Sequence, residues 1–288
     1  MTTEPTMPPG RASRREFLAM VAGIVAAQAG GRDRAQGSPL GPIGVQLYTV
    51  RTLLEQSFEG TLGALAGIGF REVEFAGYHG RTPQAVRAAL ERAGLTAPSA
   101  HVPIEAARQD LPRLLDAALA IGHRHLVVAW LPEEQRRTVD DYRAVADLFN
   151  RVGRQAHAAG LGFAYHNHAF EFARLDGWLP YDLLLEQCDP RYVAFEMDLY
   201  WITKAGQDPL AYFARWPGRF PLVHVKDSAG PPDHRMVDVG AGIIPWPTVL
   251  GARTQAGIRH YFVEHDEPAD ALASVRRSYE YLRRLDVR

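Results

Sequence analysis

The stretch Leu161–Phe172 reads LGFAYHNHAFEF. Its first five residues are apolar or small and then give way abruptly to His166-Asn167-His168, with Glu171 close behind. A short apolar run of this kind reads as a buried strand. Strand side chains alternate between faces, so Ala164, His166 and His168 share one face while Tyr165 and Asn167 point away. Two imidazoles on one face, followed three residues later by a carboxylate, form a candidate metal or acid–base cluster. The simpler alternative is a pair of hydrogen-bonded histidines at a strand end. What favours the cluster is that three later strands end in the same manner.

Working outward, strands are expected at 43–48, 72–75, 96–101, 125–130, 161–166, 192–198, 220–225 and 258–264. Between and after them, helices are expected at 58–68, 82–93, 109–121, 138–159, 181–187, 208–215, 245–256 and 268–285. Gly94, Gly122 and Gly160 close three of the helices, as glycine does where a helix ends in a left-handed turn. Eight strands alternating with eight helices predict an α/β fold of the (β/α)8 TIM-barrel type, occupying 43–288. A doubly wound open sheet is the rival. It is disfavoured because no Gly-x-Gly-x-x-Gly follows the first strand. Gly240-Ala241-Gly242 lies in a loop and reads as a turn.

The 288 residues suffice for one such barrel, and 47% hydrophobic content allows a sizeable core. A net charge of −1 implies no polyanionic partner, and no Lys/Arg run interleaved with aromatics points to nucleic acid. The single cysteine, Cys188, excludes an intrachain disulfide framework or a cysteine metal site. Of 32 basic Lys and Arg residues only Lys204 and Lys226 are lysines, which draws attention to Lys226 beside a strand end. Ser13-Arg14-Arg15-Glu16-Phe17-Leu18 followed by a short apolar run and Ala27-Gln28-Ala29 looks like a twin-arginine export signal with a small-x-small cleavage site. Residues 1–29 are therefore expected to be a signal peptide and 30–42 a linker. The mature protein would be periplasmic or secreted, exported folded, with no stable membrane span.

In a barrel of this type the active site lies where the strands' C-terminal ends meet. The polar residues there are Glu74, His101, His166 and His168, Asp198, His224 and Glu264, with Gln46 or Tyr48 and Trp130 from strands one and four. Each of the last four strands ends in a metal-competent group. Two histidines with two carboxylates make a mixed N/O set that suits Mn, Co, Zn or Fe better than Ca. Taken singly, Asp198 could be a helix cap, His224 a buried histidine and Glu264 a partner for an arginine.

The chain resembles the xylose isomerase-like sugar phosphate isomerase/epimerase superfamily, and within it an exported bacterial branch. The resemblance rests on Gly44–Arg51 (GVQLYTVR), Tyr165–Phe172 (YHNHAFEF), Phe195–Trp201 (FEMDLYW), Leu222–Asp227 (LVHVKD) and Phe262–Glu264 (FVE). It covers about residues 43–286 and implies one divalent transition metal (Mn, Co, Zn or Fe), held by Glu, Asp, His and Glu from strands five to eight. Asp198, His224 and Glu264 match the last three. On strand five His166 stands where the superfamily has Glu, so the fourth ligand is His166 or, if the loop curls back, Glu171; His166 is favoured by its inward face.

The resemblance further implies a base on each face of a sugar, one removing the proton next to a carbonyl and the other returning it, while the metal stabilises the enediolate. Glu264 would be one base and His168 or Glu171 the other. Glu74 and His101 would contact sugar hydroxyls. Lys226 and Asp227 would bind a hydroxyl or polarise a carbonyl, unless they form a rim salt bridge. Trp130, Tyr200, Trp201 and Trp246 would wall the site, unless they are core. The expected function is isomerisation, epimerisation, hydration or elimination next to a carbonyl of a free or keto-sugar or glycoside. Export argues against a phosphorylated substrate. A homodimer is expected only by superfamily habit. The alternatives are a metal-dependent phosphodiesterase or endonuclease-like barrel, which needs a basic face, and a non-catalytic sugar-binding barrel, which would have lost the metal set.

Overall fold

The computed structural model describes residues 40–287. The expected signal peptide and most of the linker lie outside the described residues. Eight parallel strands close into a barrel in sequence order: β1 (Gly44–Gln46), β2 (Glu72–Phe75), β3 (Thr96–Val102), β4 (His125–Val128), β5 (Gly162–His166), β6 (Val193–Asp198), β7 (Leu222–Val225) and β8 (His260–Val263). β8 pairs with β1 to complete the ring. Helices follow the strands, as predicted. Two differences concern short segments. The expected helix 245–256 divides into Trp246–Gly251 and Arg253–Ala256, and unpredicted helices Ile104–Gln109 and Leu199–Lys204 follow β3 and β6. β4 stops at Val128, so Trp130 belongs to the loop above it.

The pleat sorts the strand residues into two cores. Val127, Ala164, Leu222 and Phe262 form a small apolar cluster of their own, separate from the main core. Their neighbours in sequence, Leu126, Val128, Phe163, Tyr165, Val223, Tyr261 and Val263, belong to the main core between sheet and helices. The first set therefore plugs the barrel interior, and the second faces the helices. Helix Val139–Ala158 shows how the outer layer is built. Thr138 and Asp141 form a capping box at its start, satisfying amides that would otherwise lack partners. Tyr142, Val145, Phe149, Val152 and Ala156 recur at helical spacing and are buried. Phe149 meets Phe163 at 5.4 Å and Tyr165 at 5.1 Å between ring centroids. Truncating such a buried ring to Ala costs about 3–5 kcal/mol.

Alternation carries this division up to the barrel mouth. If Ala164 and Phe262 point inward, so do His166 and Glu264; if Tyr165 points outward, whatever binds it lies outside the barrel. Among the described residues no helix is long and apolar enough to cross a membrane.

Candidate active site

Strand register brings the inward polar residues to one level. His166 lies opposite Glu196, and Asp198 opposite His224. His166, Asp198, His224 and Glu264 each offer a ligand atom within 4.8 Å of the others, and all four are buried. His166 Nε2 lies 3.2 Å from Asp198 Oδ2. His224 Nδ1 lies 2.6 Å from Glu264 Oε2 and 3.8 Å from Asp198 Oδ2. The expected four-residue set thus meets in space, with His166 and not Glu171 as its strand-five member.

Asp198 divides its two oxygens between tasks. Oδ1 accepts from the backbone amides of Tyr200 and Trp201, each at 2.9 Å, and so caps helix Leu199–Lys204. Oδ2 faces the site. The cap fixes the rotamer that presents the second oxygen.

Beneath this set lies a second group of four, Glu74, His101, Glu196 and His224. His224 belongs to both. Its Nε2 lies 2.7 Å from Glu74 Oε2 and 3.2 Å from Glu196 Oε2, while Nδ1 faces the upper set. His101 Nε2 lies 2.8 Å from Glu196 and 3.1 Å from Glu74, and Gln46 Nε2 donates to Glu74 at 2.7 Å. A carboxylate that accepts from Nε2–H leaves Nδ1 as the free lone pair, the arrangement that orients histidine ligands of metals. Glu74 is therefore not open to a sugar hydroxyl as expected: it is fully buried and holds His224 in place. Of the two, only His101 reaches the cavity above.

Lys226 Nζ sits 3.1 Å from Asp198, 2.8 Å from Glu264 and 3.0 Å from Asp266. It is buried, and makes no rim salt bridge with Asp227. Asp227 points elsewhere. Its carboxylate accepts from the amides of Gly240, Gly242 and Ile244 and from Trp246 Nε1. A Cβ on Gly242 would collide with that carboxylate, so Gly240-Ala241-Gly242 is a turn folded onto an acid. Trp246 is accordingly core, not a wall of the site. Tyr200 is also buried, its hydroxyl donating to the His234 carbonyl at 2.7 Å.

The electrostatics follow from crowding. Burial opposes charge on His101, but Glu74 and Glu196 outweigh it and push its pKa up to about 9. Burial is likewise outweighed at His224 by Glu196 and Glu264, and at Lys226 by Asp198, Glu264 and Asp266, so both stand well above their usual ranges. Glu74 and Glu264 are held low against burial, the first by His101 and His224, the second by Lys226 and His224. His166 and His168 go the other way. Burial lowers both, helped by His224 beside the first and His166 beside the second, so both are neutral.

These residues fit a divalent cation on two counts. Glu74 Oε1, His166 Nδ1 and Glu196 Oε1 are buried without a hydrogen bond, and His224 Nδ1 and Glu264 Oε2 have only each other and, for Glu264, the Lys226 ammonium beside them. Native structures rarely tolerate that many orphaned atoms without a ligand. In addition, five carboxyl groups (Glu74, Glu196, Asp198, Glu264 and Asp266) outnumber the cationic groups among them: His101, Lys226 and, where no ion takes its Nδ1, His224. A divalent ion offsets the excess.

Above the set is a cavity of about 400 Å3 lined by His101, Trp130, His166, His168, Lys226 and Glu264, among others. His168 stands on its wall, with ring centroids 4.9 Å from Trp130 and 5.4 Å from Trp201. Trp201 also lies 5.8 Å from the Lys226 ammonium. Glu171 is elsewhere. Its carboxylate binds the Tyr165 hydroxyl and, at 2.9 Å, the His168 amide. It is fully buried in the outer layer, and burial pushes its pKa up to about 7. The expectation that Glu171 acts as a base or ligand is corrected by the turn Phe170–Phe172, which carries it behind β5 instead of over the mouth. Glu196 and Asp266 were missed. Alternation along β6 marked Glu196, a carboxylate two residues before Asp198 in an otherwise apolar run.

A family model for the xylose isomerase-like TIM barrel matches residues 62–285. The chain belongs to the xylose isomerase-like TIM barrel family. Among its relatives, inosose dehydratase from Lacticaseibacillus casei is 23% identical over 193 residues, 60% of this chain and 64% of that protein; the chain thus spans less than two thirds of that relative. A sugar phosphate isomerase/epimerase from Parabacteroides distasonis superposes with a TM-score of 0.76 at 26% identity, over 87% of this chain and 95% of that one. The IOLI protein, crystallised with a bound zinc atom, superposes with a TM-score of 0.66 at 13% identity, over 83% and 95% of the two chains, a likeness of fold. The xylose isomerase-like barrel expected from the sequence is thereby borne out, and sugar-modifying enzymes are among the chain's relatives.

Proposed function

We propose that this protein is an enzyme that removes the proton next to the carbonyl of an unphosphorylated, polyhydroxylated ketone, such as a keto-sugar or its glycoside, with one divalent transition metal (Mn, Co, Zn or Fe). The observation that carries the reading is the buried set His166, Asp198, His224 and Glu264, whose ligand atoms lie within 4.8 Å of one another and which opens through His166 and Glu264 onto a cavity that also holds Lys226 and His168. The four residues would hold the ion, which when bound supplies a Lewis acid for the carbonyl oxygen.

The rest falls to the chain's own groups. His168 is neutral and lines the cavity, so its imidazole can accept the α-proton at ordinary pH. As that C–H bond breaks, its electron pair enters the new C=C bond and negative charge moves to the carbonyl oxygen. Lys226 donates a hydrogen bond to that oxygen. Glu264, tied to Lys226 and His224, serves the opposite face. Where Glu264 relays a proton from water to the opposite face and protonated His168 releases its own to solvent, an epimer forms; where protonated His168 gives its proton to a departing β-hydroxyl, water leaves and the product is dehydrated. Dehydratases and epimerases thus share a first half-reaction, which is why relatives of both kinds support one reading. The twin-arginine stretch supports export of the folded enzyme, and an unphosphorylated substrate accords with it.

The test is exchange in deuterated water. Metal-loaded protein incubated with 3-keto-glucosides and inosose should place deuterium at the α-carbon, seen by NMR, and His168→Gln should slow this by roughly 100-fold. Loss of metal binding in His168→Gln, or exchange unaffected by it, would sink the role assigned to His168. Absence of exchange with every polyhydroxylated ketone would sink the reading as a whole.

A further inference from the structure

The cavity over the ligand set is one half of a larger depression. A second cavity, of about 450 Å3, adjoins it and shares Tyr48, Ala76, His101, Ala129 and Trp130 with it. The chemistry changes across that boundary. On the ligand side the walls are His166, His168, Lys226, Glu264 and Asp266. On the far side the floor is Val102, Pro103, Ile104 and Pro132. The one charged side chain there, Glu105, is already engaged by Gln135 Nε2 and paired with Arg108.

Trp130 and Tyr48 stand at the boundary, 50% and 42% exposed. They are two of only five large hydrophobic residues so exposed among the described residues. Neither is loose: Arg136 lies over Trp130 at 5.4 Å and Phe170 meets it edge-on at 5.2 Å, while Arg51 stacks on Tyr48 at 4.0 Å. Braced, exposed aromatics at the neck of an apolar cleft mark a binding surface.

We infer that the substrate is amphiphilic: a polyhydroxylated ring that carries a flat apolar ring system, the first seated over the ligand set and the second in the cleft floored by Val102, Pro103, Ile104 and Pro132. This rests on the function proposed above and narrows its substrate class. A second sugar suits the cleft poorly, because its hydroxyl groups would find few partners on that floor. An aromatic ring loses nothing there and buries apolar area against Trp130 and Ile104. The apolar group enters no bond change; it supplies binding remote from the reacting carbon.

Isothermal titration calorimetry of the metal-loaded full chain with methyl and 1-naphthyl glycosides of 3-keto-glucose tests this, with Pro103→Asp as the variant. Pro103 is exposed and is the N-cap of helix Ile104–Gln109, a position where Asp is favoured, so the variant folds. The naphthyl compound should bind at least roughly tenfold more tightly than the methyl one, and in Pro103→Asp that ratio should fall to near one. Equal affinities in the parent protein would overturn the inference and leave the proposed function standing. If neither glycoside binds, 3-keto-glucosides are excluded as substrates, the exchange test above decides the function proposal, and 1-naphthol alone decides the cleft. Saturable binding that Pro103→Asp removes keeps the apolar site; none overturns it.

Discussion

At the N-terminal end of the barrel interior, His260 Nδ1 lies 2.8 Å from Glu72 Oε2, and its ring meets that of His125 at 6.0 Å. Burial brings the His125 pKa down to about 4, so it is neutral. At the other end, beyond the apolar plug of Val127, Ala164, Leu222 and Phe262, the same residue types gather in larger number. The bottom has one carboxylate for two imidazoles and leaves one buried histidine nitrogen unpaired, His125 Nδ1. The mouth has five carboxyl groups for four imidazoles and one ammonium, two of the imidazoles (His166 and His168) being neutral, and six buried side chains there carry an atom without a hydrogen bond: Glu74, His166, His168, Glu196, His224 and Glu264. Histidine and glutamate inside a barrel therefore do not by themselves mark a site. The excess of acceptors over donors does, because only an added cation relieves it.

The strongest way to break this comparison is to delete ligands at the mouth. Asp198→Ala and His224→Ala should each abolish stoichiometric metal, measured by plasma mass spectrometry. Each should also lower α-exchange by more than roughly 1,000-fold. Full metal content in both variants would mean that the ion lies elsewhere and that the crowding at the mouth is relieved by other means.

One such means is protonation, and Glu171 shows the alternative at work. Burial raises its carboxyl to about 7 on the outer face of β5, against the Tyr165 and His168 hydrogen bonds and the weaker pull of Arg136. A folded pKa above the unfolded value means that its contribution is fully present below about pH 4.5 and is lost as pH rises through about 7. Relative to Glu171→Gln, the parent protein should lose up to about 3 kcal/mol across that window in urea unfolding. A flat difference would show that Glu171 is ionised throughout. At the mouth Glu74 and Glu264 are shifted the opposite way, so protonation does not relieve them near neutral pH.

The barrel and the four residues expected to meet at its mouth were legible because both depend on local pattern. Strands announce themselves by apolar runs, and a ligand at a strand's last inward residue needs only the pleat to be placed. His166 followed from alternation alone. What escaped needed the third dimension. Glu171 is three residues past His168, near in sequence, but one turn of 310 helix sends it to the opposite side of the sheet. Asp227 is adjacent to Lys226, yet the pleat points it at the Gly240–Gly242 turn while Lys226 faces the site. Asp266 pairs with Lys226 across two strands, and no spacing rule connects them. Glu196 was within reach: a carboxylate at i−2 from Asp198 has to share its inward face.

The narrowest test makes one chemical change twice on one strand. Glu72 and Glu74 lie two residues apart on β2, on the same inward face, one at each end of the comparison. Glu72→Gln keeps a carbonyl oxygen for His260 Nδ1–H and loses only the charge of a partly exposed pair, so it should cost about 1 kcal/mol or less and leave the metal untouched. Glu74→Gln removes the charge that fixes His224 with Nε2 protonated. An amide can turn either its oxygen or its nitrogen toward the ring, so the tautomer is no longer enforced. Loss of such an outer partner weakens metal affinity by about 10–100-fold, measurable by competition with a chromophoric chelator, while the unfolding midpoint of the metal-free protein moves little. If both variants bind metal like the parent, the lower carboxylate layer at the mouth is structural after all, and the distinction between the barrel's two ends shrinks to the four ligands themselves. If Glu72→Gln weakens the metal as much as Glu74→Gln, the plug between them transmits strain, and the two ends are not independent.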